Sequence, residues 1–500
     1  MRIAIEGCAH GELENIYDTI LSLEKRENMK IDLLLCCGDF QTSRNIEDLS
    51  SMAVPQKYSN ICSFYKYYSG EKLAPILTVL IGGNHEASNY LQELPFGGWV
   101  APKIYYLGVR IAGLSGIYKA NDYMKGHFEV FPFDTNTKRS VYHIRNSEVF
   151  RLKQISQPID IMLSHDWPTN VTDYGNKEQL IRFKPHFKED IETQKLGSKP
   201  CEELLSILKP RYWFSSHLHC KFAALVPHEN NTFTRFLALD KCLPKRRFLQ
   251  VIEIPHDEKE EIKINYDLEW LTILVTTNHL TSIKQVPNYM PGLHGNERFS
   301  FTPTDEEKSL VMSKLTNDLT IPENFKQTAE PYDEITPKKH LRHIGPIQNP
   351  QTVQLCELLS IDDPIEMILK EKGRSFDESY TEFQNEISNT DIKNDASLEN
   401  PCDATFVNDT ITEETTPIKD FKRKLSSLSL PKPKNDVQDL FVIDKDPLTT
   451  DNSFEFLNRD HSLFHIDEGD SNKCMKKEIE NTQQSSKNKM KRRNTGPYIN

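Results

Sequence analysis

Short apolar runs punctuate the first half of this chain, at 3–5, 31–37, 76–80, 107–114, 159–163 and 212–214. Runs of this length read as strands, and a run apolar throughout reads as a strand covered on both faces. Between the first two, Leu13, Ile16, Tyr17, Ile20, Leu21 and Leu23 fall at near-helical spacing, which predicts a helix over 12–25. The stretch 46–68 reads as mostly helical, and 200–208 as one more helix. Alternating segments at 223–226, 233–239 and 248–254 predict strands of a second sheet. The expected fold class is therefore α/β, a β-sandwich between helices. From about 257 the pattern becomes mixed, anchored by Trp270-Leu271-Thr272-Ile273-Leu274 and ending near a helix-like 353–359. Beyond about 371, Asn, Asp, Ser, Thr and Lys dominate, too little apolar surface to offset the entropy of ordering. The expected organisation is a domain over 1–256, a small C-terminal domain over 257–370 and a disordered tail over 371–500.

The residues just after each apolar run matter more than the run itself. The first leads into Gly7-Cys8-Ala9-His10, the second into Gly38-Asp39, the third into Gly82-Gly83-Asn84-His85-Glu86. The run at 159–163 ends in Ser164-His165, and that at 212–214 in Ser215-Ser216-His217-Leu218-His219. Strand ends deliver side chains into the crevice at a sheet's carboxyl edge, and paired glycines let the chain turn tightly there. A lone His after a strand is ordinarily structural, and a lone Gly-Asp is ordinarily a turn. Oxygen, thiol and imidazole donors at five strand ends are explained together by one or two transition metals.

This order of motifs resembles the calcineurin-like metallophosphoesterases, in which two metals bridged by an aspartate activate a water for attack on phosphorus. The resemblance implies that fold, with Asp39 as the bridge, His10 and His219 on the first metal, and Asn84, His165 and His217 on the second. It makes His85 the catalytic residue, contacting the phosphate or protonating the leaving oxygen. Where the wider superfamily carries Asp-x-His, this chain has Cys8-x-His10. A thiolate is a softer ligand, favouring Zn2+ or Fe2+, with Mn2+ also compatible with the remaining donors; a protonated Cys8 would weaken the first site. Longer strings, Glu6-Gly7-Cys8-Ala9-His10-Gly11, Cys37-Gly38-Asp39-Phe40-Gln41, GGNHEASNYL from 82, LPFGGWVAPKIYY from 94, SHDWP from 164 and LALDKCLP from 237, are similar to the RNA lariat debranching enzymes. The resemblance is continuous over about 1–280 and weaker to about 365. It implies hydrolysis of the 2′-5′ phosphodiester at the branch point of excised introns.

The stretch 118–145 breaks the alternation of elements, with Gly126, Pro132, charges of both signs and many aromatics but no sustained period. Long insertions of this kind are usually functional or disordered. The resemblance makes it a lariat recognition loop. Tyr118, Tyr123, Phe128 and Tyr142 can stack on unpaired bases, and Lys119, Lys125, His127, Arg139 and Arg145 can meet phosphates. The other reading is an aromatic mini-core that only shields the site.

The formal net charge of -12 looks wrong for an RNA partner until it is divided by position. Residues 101–250 hold 23 Lys+Arg against 15 Asp+Glu, so a basic surface is available there, and the acidity belongs to the second half. Ten cysteines with no C-x-x-C pair and no apolar run of the roughly 20 residues a membrane span needs point to a reducing compartment and no membrane partner. Lys422-Arg423-Lys424 and the cluster Lys487, Lys489, Lys491, Arg492 and Arg493 resemble nuclear import signals, so an import receptor and a nuclear location are expected, shuttling to the cytoplasm remaining open. Two other readings fit the motifs: a general phosphodiesterase or nuclease with the same centre, and a metal-free scaffold.

Overall fold

The computed structural model describes residues 1–372 apart from 108–111, 230, 257–258, 260, 294 and 336–344. The basic clusters at 422–424 and 487–493, and the tail from 373 onward, lie outside the described residues. The strands, in chain order, are β1 (Arg2–Glu6), β2 (Leu33–Cys36), β3 (Leu77–Leu80), β4 (Gly98–Ala101), β5 (Ile104–Tyr106), β6 (Ala112–Leu114), β7 (Ile161–Ser164), β8 (Tyr212–Ser215), β9 (Phe222–Pro227), β10 (Phe233–Ala238) and β11 (Leu249–Glu253). They form a six-stranded sheet, β11-β1-β2-β3-β5-β4, and a five-stranded sheet, β6-β7-β8-β10-β9.

The core of each sheet is parallel and each antiparallel strand sits at an edge. Parallel strands need helices on their outer faces, and the apolar runs supply a second buried face for each sheet. On the first sheet, Ala4, Leu34, Cys36 and Leu80 pack with Leu13, Ile16, Tyr17 and Ile20 of helix Leu13–Glu27. On the second, Met162, Trp213 and Phe236 pack with Leu204 and Leu205 of helix Lys199–Leu208. With a side-chain period of two, Ile3, Ile5, Leu35 and Val79, and from the other sheet Leu163, Phe214 and Leu237, point the opposite way and are equally buried. The two inner faces meet: a Cβ on Gly113 of β6 would lie 2.7 Å from Ile81 beyond β3.

Several expectations change. The strand expected over 248–254 joins the first sheet, not the second: β11 pairs antiparallel with β1, Ile3 opposite Ile252. Alternation shows that one face is buried, but the neighbour is chosen by long-range backbone bonding such as Gly7 N–H to Phe248 C=O at 3.0 Å. The helical stretch at 46–68 is only Ile46–Ser50 and Phe64–Tyr68, separated by a single 3-10 turn at Gln56–Tyr58 after Pro55. The strand expected over 107–114 is described only from Ala112. The β4–β5 hairpin is additional, and the Lys-rich region before Pro200 holds helices Lys177–Phe183 and Phe187–Glu192.

The C-terminal segment has a small cluster of its own, Leu271, Leu274, Val311, Leu315, Leu355 and Leu359, built from helices Leu268–Thr276, Asp305–Lys314 and Pro350–Leu359. It also covers the free edge of the first sheet. Gln351 accepts from Trp99 N–H at 2.8 Å and donates to Trp99 C=O at 2.9 Å, satisfying backbone groups that an open edge strand would leave unpaired. The buried Arg44 guanidinium ties Asp48 and Glu93 to Thr328 at 2.7–2.9 Å.

Candidate metal centre and its surroundings

The carboxyl ends of β1, β2, β3, β7 and β8 converge. The donor atoms of Cys8, His10, Asp39 and His219 all lie within 4.8 Å of one another. His10 Nε2 is 3.0 Å from His219 Nε2 and 3.6 Å from Asp39 Oδ2. On the other side of the same carboxylate, His165 Nε2 is 3.2 Å from Asp39 Oδ1 and 3.1 Å from Asn84 Oδ1. The His217 ring lies 5.0 Å from that of His165. Asp39 thus stands between two groups of donors, which is where a bridging ligand belongs. All seven expected ligands come together, and His85 lies beside them, its ring 5.5 Å from that of His10 and its N–H donating to Asp39 Oδ1 at 2.8 Å.

The local backbone is bent to achieve this. His10, Asp39, His217 and His219 all have φ between 44° and 59°, a left-handed conformation that costs an L-residue roughly 1–2 kcal/mol. Four such residues among seven candidate ligands are held by the surrounding structure, as strained functional sites are. Gly38 and Gly83 are needed for space: a Cβ would fall 2.4 Å from His165 Nδ1 at the first and 2.2 Å from Asp39 Oδ1 at the second. His165 is oriented from behind by Cys37 C=O at 2.8 Å and Ser216 Oγ at 3.1 Å, both on Nδ1, so its Nε2 faces the centre.

The residues fit a metal. Asp39 Oδ2 is buried with no hydrogen-bond partner among the described residues, a costly state for a carboxylate oxygen unless a cation takes it. His10 and His219 turn ring nitrogens toward each other. Burial lowers them to about 4 and about 2, and His217 to about 3, so they are neutral ligands at neutral pH. Burial alone would raise the Asp39 carboxyl, but His165, His85 and His10 hold it well below its ordinary value, while Asp39 in turn raises His165 against its burial. The Cys8 thiol is pushed well up by burial and then by Asp39, and its sulfur accepts from His217 N–H at 3.2 Å; only a cation beside it would favour the thiolate.

Glu86 holds the ligand loops together, a role invisible in the motif that contains it. Its buried carboxylate accepts from Gly83, Phe40 and Gln41 N–H groups at 3.0, 2.7 and 2.8 Å, joining the turn after β3 to the turn after β2. Glu86→Ala strands three buried donors and is expected to destabilise the fold by about 3 kcal/mol or more. A denaturation midpoint unchanged from the parent, with metal content intact, would contradict this.

The insertion at 118–145 is ordered and anchored to the same centre. Tyr118 N–H donates to Asp166, the residue after His165, at 3.2 Å, and Gly116 N–H donates to Gly82 C=O at 2.8 Å. Its far side is braced by the C-terminal segment: Gly126 and His127 N–H groups donate to Lys284 and Ser282 C=O at 2.9 and 3.0 Å, and Asn288 N–H to Met124 C=O at 2.6 Å. Not every expected RNA contact is available. Arg145 is 0% exposed, with its guanidinium on Glu129 and on the carbonyls of Asp122 and Ser140; it is the strut of the insertion and cannot reach a phosphate. Tyr123 packs edge-on to Tyr118 against the second core, Lys125 pairs with Asp122 at 2.8 Å, and His127 with Glu148 at 2.8 Å. Phe131, Phe133 and Val141 form a mini-core with Tyr142 at its margin. Lys119 and Arg139 remain exposed, and Tyr118, Phe128 and Tyr142 half-buried. Lys119 is near enough to disfavour a proton on His217.

Comparison with known proteins agrees with this architecture. The calcineurin-like phosphoesterase family matches residues 1–221, and the family described as the C-terminal domain of lariat debranching enzyme matches 231–364. The chain is 53% identical over 428 residues to the lariat debranching enzyme of Drosophila melanogaster, covering 75% of this chain and 80% of that one. It is 50% identical over 415 residues to the human lariat debranching enzyme, covering 79% and 76%. To lariat debranching enzyme A of Xenopus laevis it is 44% identical over 530 residues, covering 100% and 98%.

Proposed function

The chain belongs to the lariat debranching enzymes of the calcineurin-like phosphoesterase superfamily, and on that premise we propose that it hydrolyses the 2′-5′ phosphodiester at the branch point of lariat RNA. The observation that carries the reading is the convergence of seven donors, Asp39 between the two groups of them, with the 118–145 insertion tied to the residue after one of them. Cys8, His10, Asp39 and His219 would hold one divalent ion and Asp39, Asn84, His165 and His217 a second. When bound, such ions neutralise charge on the phosphoryl oxygens and acidify the attacking water.

The chain's own residues do the rest. Asp39 holds the two donor groups in register through one carboxylate. Asn84 and the neutral imidazoles fix the donor geometry before substrate arrives, so little reorganisation is left for the reaction itself. His85, pinned through its backbone N–H to Asp39, takes the role of contacting the phosphate and giving a proton to the leaving oxygen as the P–O bond breaks. Tyr118 and Lys119, at the edge of the centre, meet the branch nucleotide and its phosphates.

The test is cleavage of a branched RNA against a linear 3′-5′ control, with and without chelator. Cleavage of both alike would favour a general phosphodiesterase, and chelator-resistant cleavage would remove the metals from the account. For the ion, Cys8 favours Fe2+ or Zn2+ over harder cations, with Mn2+ an acceptable substitute. Cys8→Ser should lower activity in a way that added metal partly restores; a trapped phosphocysteine would make Cys8 a nucleophile instead. We further propose that the tail directs the protein to the nucleus through an import receptor that binds its basic clusters. Deletion of 373–500 should reduce nuclear accumulation and leave turnover on branched RNA unchanged; loss of turnover would place part of the catalytic unit in the tail.

A further inference from the structure

The loop from β10 to β11 lies against the metal centre on the side away from the insertion. In the second sheet the insertion follows the edge strand β6, and this loop follows β10, with β7 and β8 between them. In the first sheet the contrast repeats: Gly116, leading into the insertion, is bonded to Gly82 just after β3, the loop to Cys8 just after β1, and the Asp39 strand β2 runs between. At roughly 4.8 Å per strand, the two features flank the site about 10–15 Å apart.

The loop is rigid and cationic. Lys241 is bridged to Cys8, Cys242 N–H donates to Cys8 C=O at 3.0 Å, and Asp240 N–H donates to Arg247 C=O at 3.1 Å, closing the loop around Pro244. Within 241–247 four of seven residues are basic, Lys241, Lys245, Arg246 and Arg247, in a chain whose net charge is -12. Asp240, just before it, spends one oxygen on Lys241 N–H at 2.8 Å and the other on Arg246 at 3.3 Å. Lys241 and Lys245 meet no carboxylate among the described residues, and Lys241 is close enough to act on the protonation of both His10 and His219. Lys184 reaches the same rim, since it and Arg246 both act on Cys220, beside His219.

We infer that this loop is a second phosphate-binding rim, on which Lys241 and Lys245 hold the single-stranded RNA flanking the scissile phosphate while the insertion holds the branch. The inference rests on the debranching reading above and adds the site for the arm that the insertion cannot reach. Metals bind one phosphate; a branched substrate carries three chains away from that point, and a cationic groove that tracks a backbone is the usual means of holding a single strand. A pinned loop does so at lower entropic cost than mobile lysines would.

The experiment uses the full-length metal-loaded protein with Lys241→Ala/Lys245→Ala and, separately, Lys245→Glu. Steady-state cleavage of a branched RNA with long arms is measured across a salt series. The expected result is a rise in KM of about tenfold at low salt with kcat largely retained. The logarithmic salt dependence should also flatten by about 0.7 for each lysine removed, the value for one phosphate contact on a single strand. A purely structural loop would change kcat or stability but leave that slope alone. With every arm shortened to one nucleotide, parent and variants should have equal KM. An unchanged KM and slope on long arms would overturn the rim, as would a difference that persists on the shortened substrate. A parent enzyme that fails on branched RNA would sink the debranching reading instead, so the two failures are distinct.

Discussion

Asp39→Ala is expected to abolish hydrolysis, with a fall of at least 10³-fold and loss of bound metal. Its carboxylate alone touches both donor groups: Oδ1 lies 3.2 Å from His165 and accepts from His85 N–H, while Oδ2 faces His10 with no hydrogen bond of its own. Removing it takes away the negative charge that balances the cations and also the acceptor that pins His85. A 10³-fold fall is about 4 kcal/mol of transition-state stabilisation, within the several kcal/mol that such charge neutralisation supplies. Asp39→Asn separates shape from charge and should lose nearly as much, because an amide cannot bridge two cations. His85→Ala should instead lower the rate while keeping the metal, since the role proposed for it is phosphate contact and proton delivery rather than ligation. Elemental analysis beside turnover decides the matter. Metal lost from the His85 variant as completely as from the Asp39 variant would make His85 a ligand.

Replacement of the insertion should cost far more on branched RNA than on a small activated phosphodiester. The metals and Asp39 see a phosphate and a line of attack, which are nearly the same in 2′-5′ and 3′-5′ linkages, so the branch must be recognised elsewhere. Stacking one base on Tyr118, Phe128 or Tyr142 is worth roughly 1–3 kcal/mol, or about 5- to 150-fold, and this energy goes into orientation that a small diester does not need. The buried Arg145–Glu129 pair dictates how the change is made. A Gly-Ser linker over 118–143 removes Glu129 and leaves a buried guanidinium alone, at about 3–5 kcal/mol, so Arg145→Met must accompany it. A surface variant, Lys119→Ala/Arg139→Ala, tests the phosphate contacts without touching the interior. Comparable losses on both substrates would return specificity to the shared core; an unchanged rate on branched RNA would remove the insertion from recognition.

The centre was legible in the sequence because each ligand comes directly after an apolar strand. Cys8, His10, Asp39, Asn84, His165, His217 and His219 need only the rule that strand ends open into a crevice, and that rule acts within a few residues of each. Helix Leu13–Glu27 was equally plain, since its stripe of apolar residues is a local property. The features that escaped depend on partners outside their own local pattern, some of them far along the chain. The alternation in 248–254 shows that β11 buries one face, but pairing with β1 brings together residues about 250 positions apart. Arg145 reads as a surface cation until Glu129 and two carbonyls close around it, and Glu86 reads as part of a motif until three N–H groups from two turns converge on it. Lys241 and Lys245 look like solvated charges until the loop that carries them is bonded to Cys8. Amino-acid type and short-range period thus determined which groups this protein can bring to a reaction. Tertiary structure decided which of them converge on one centre, which stay exposed and which are consumed in holding the fold, because burial and the pairing of charges are set by neighbours that local sequence does not contain.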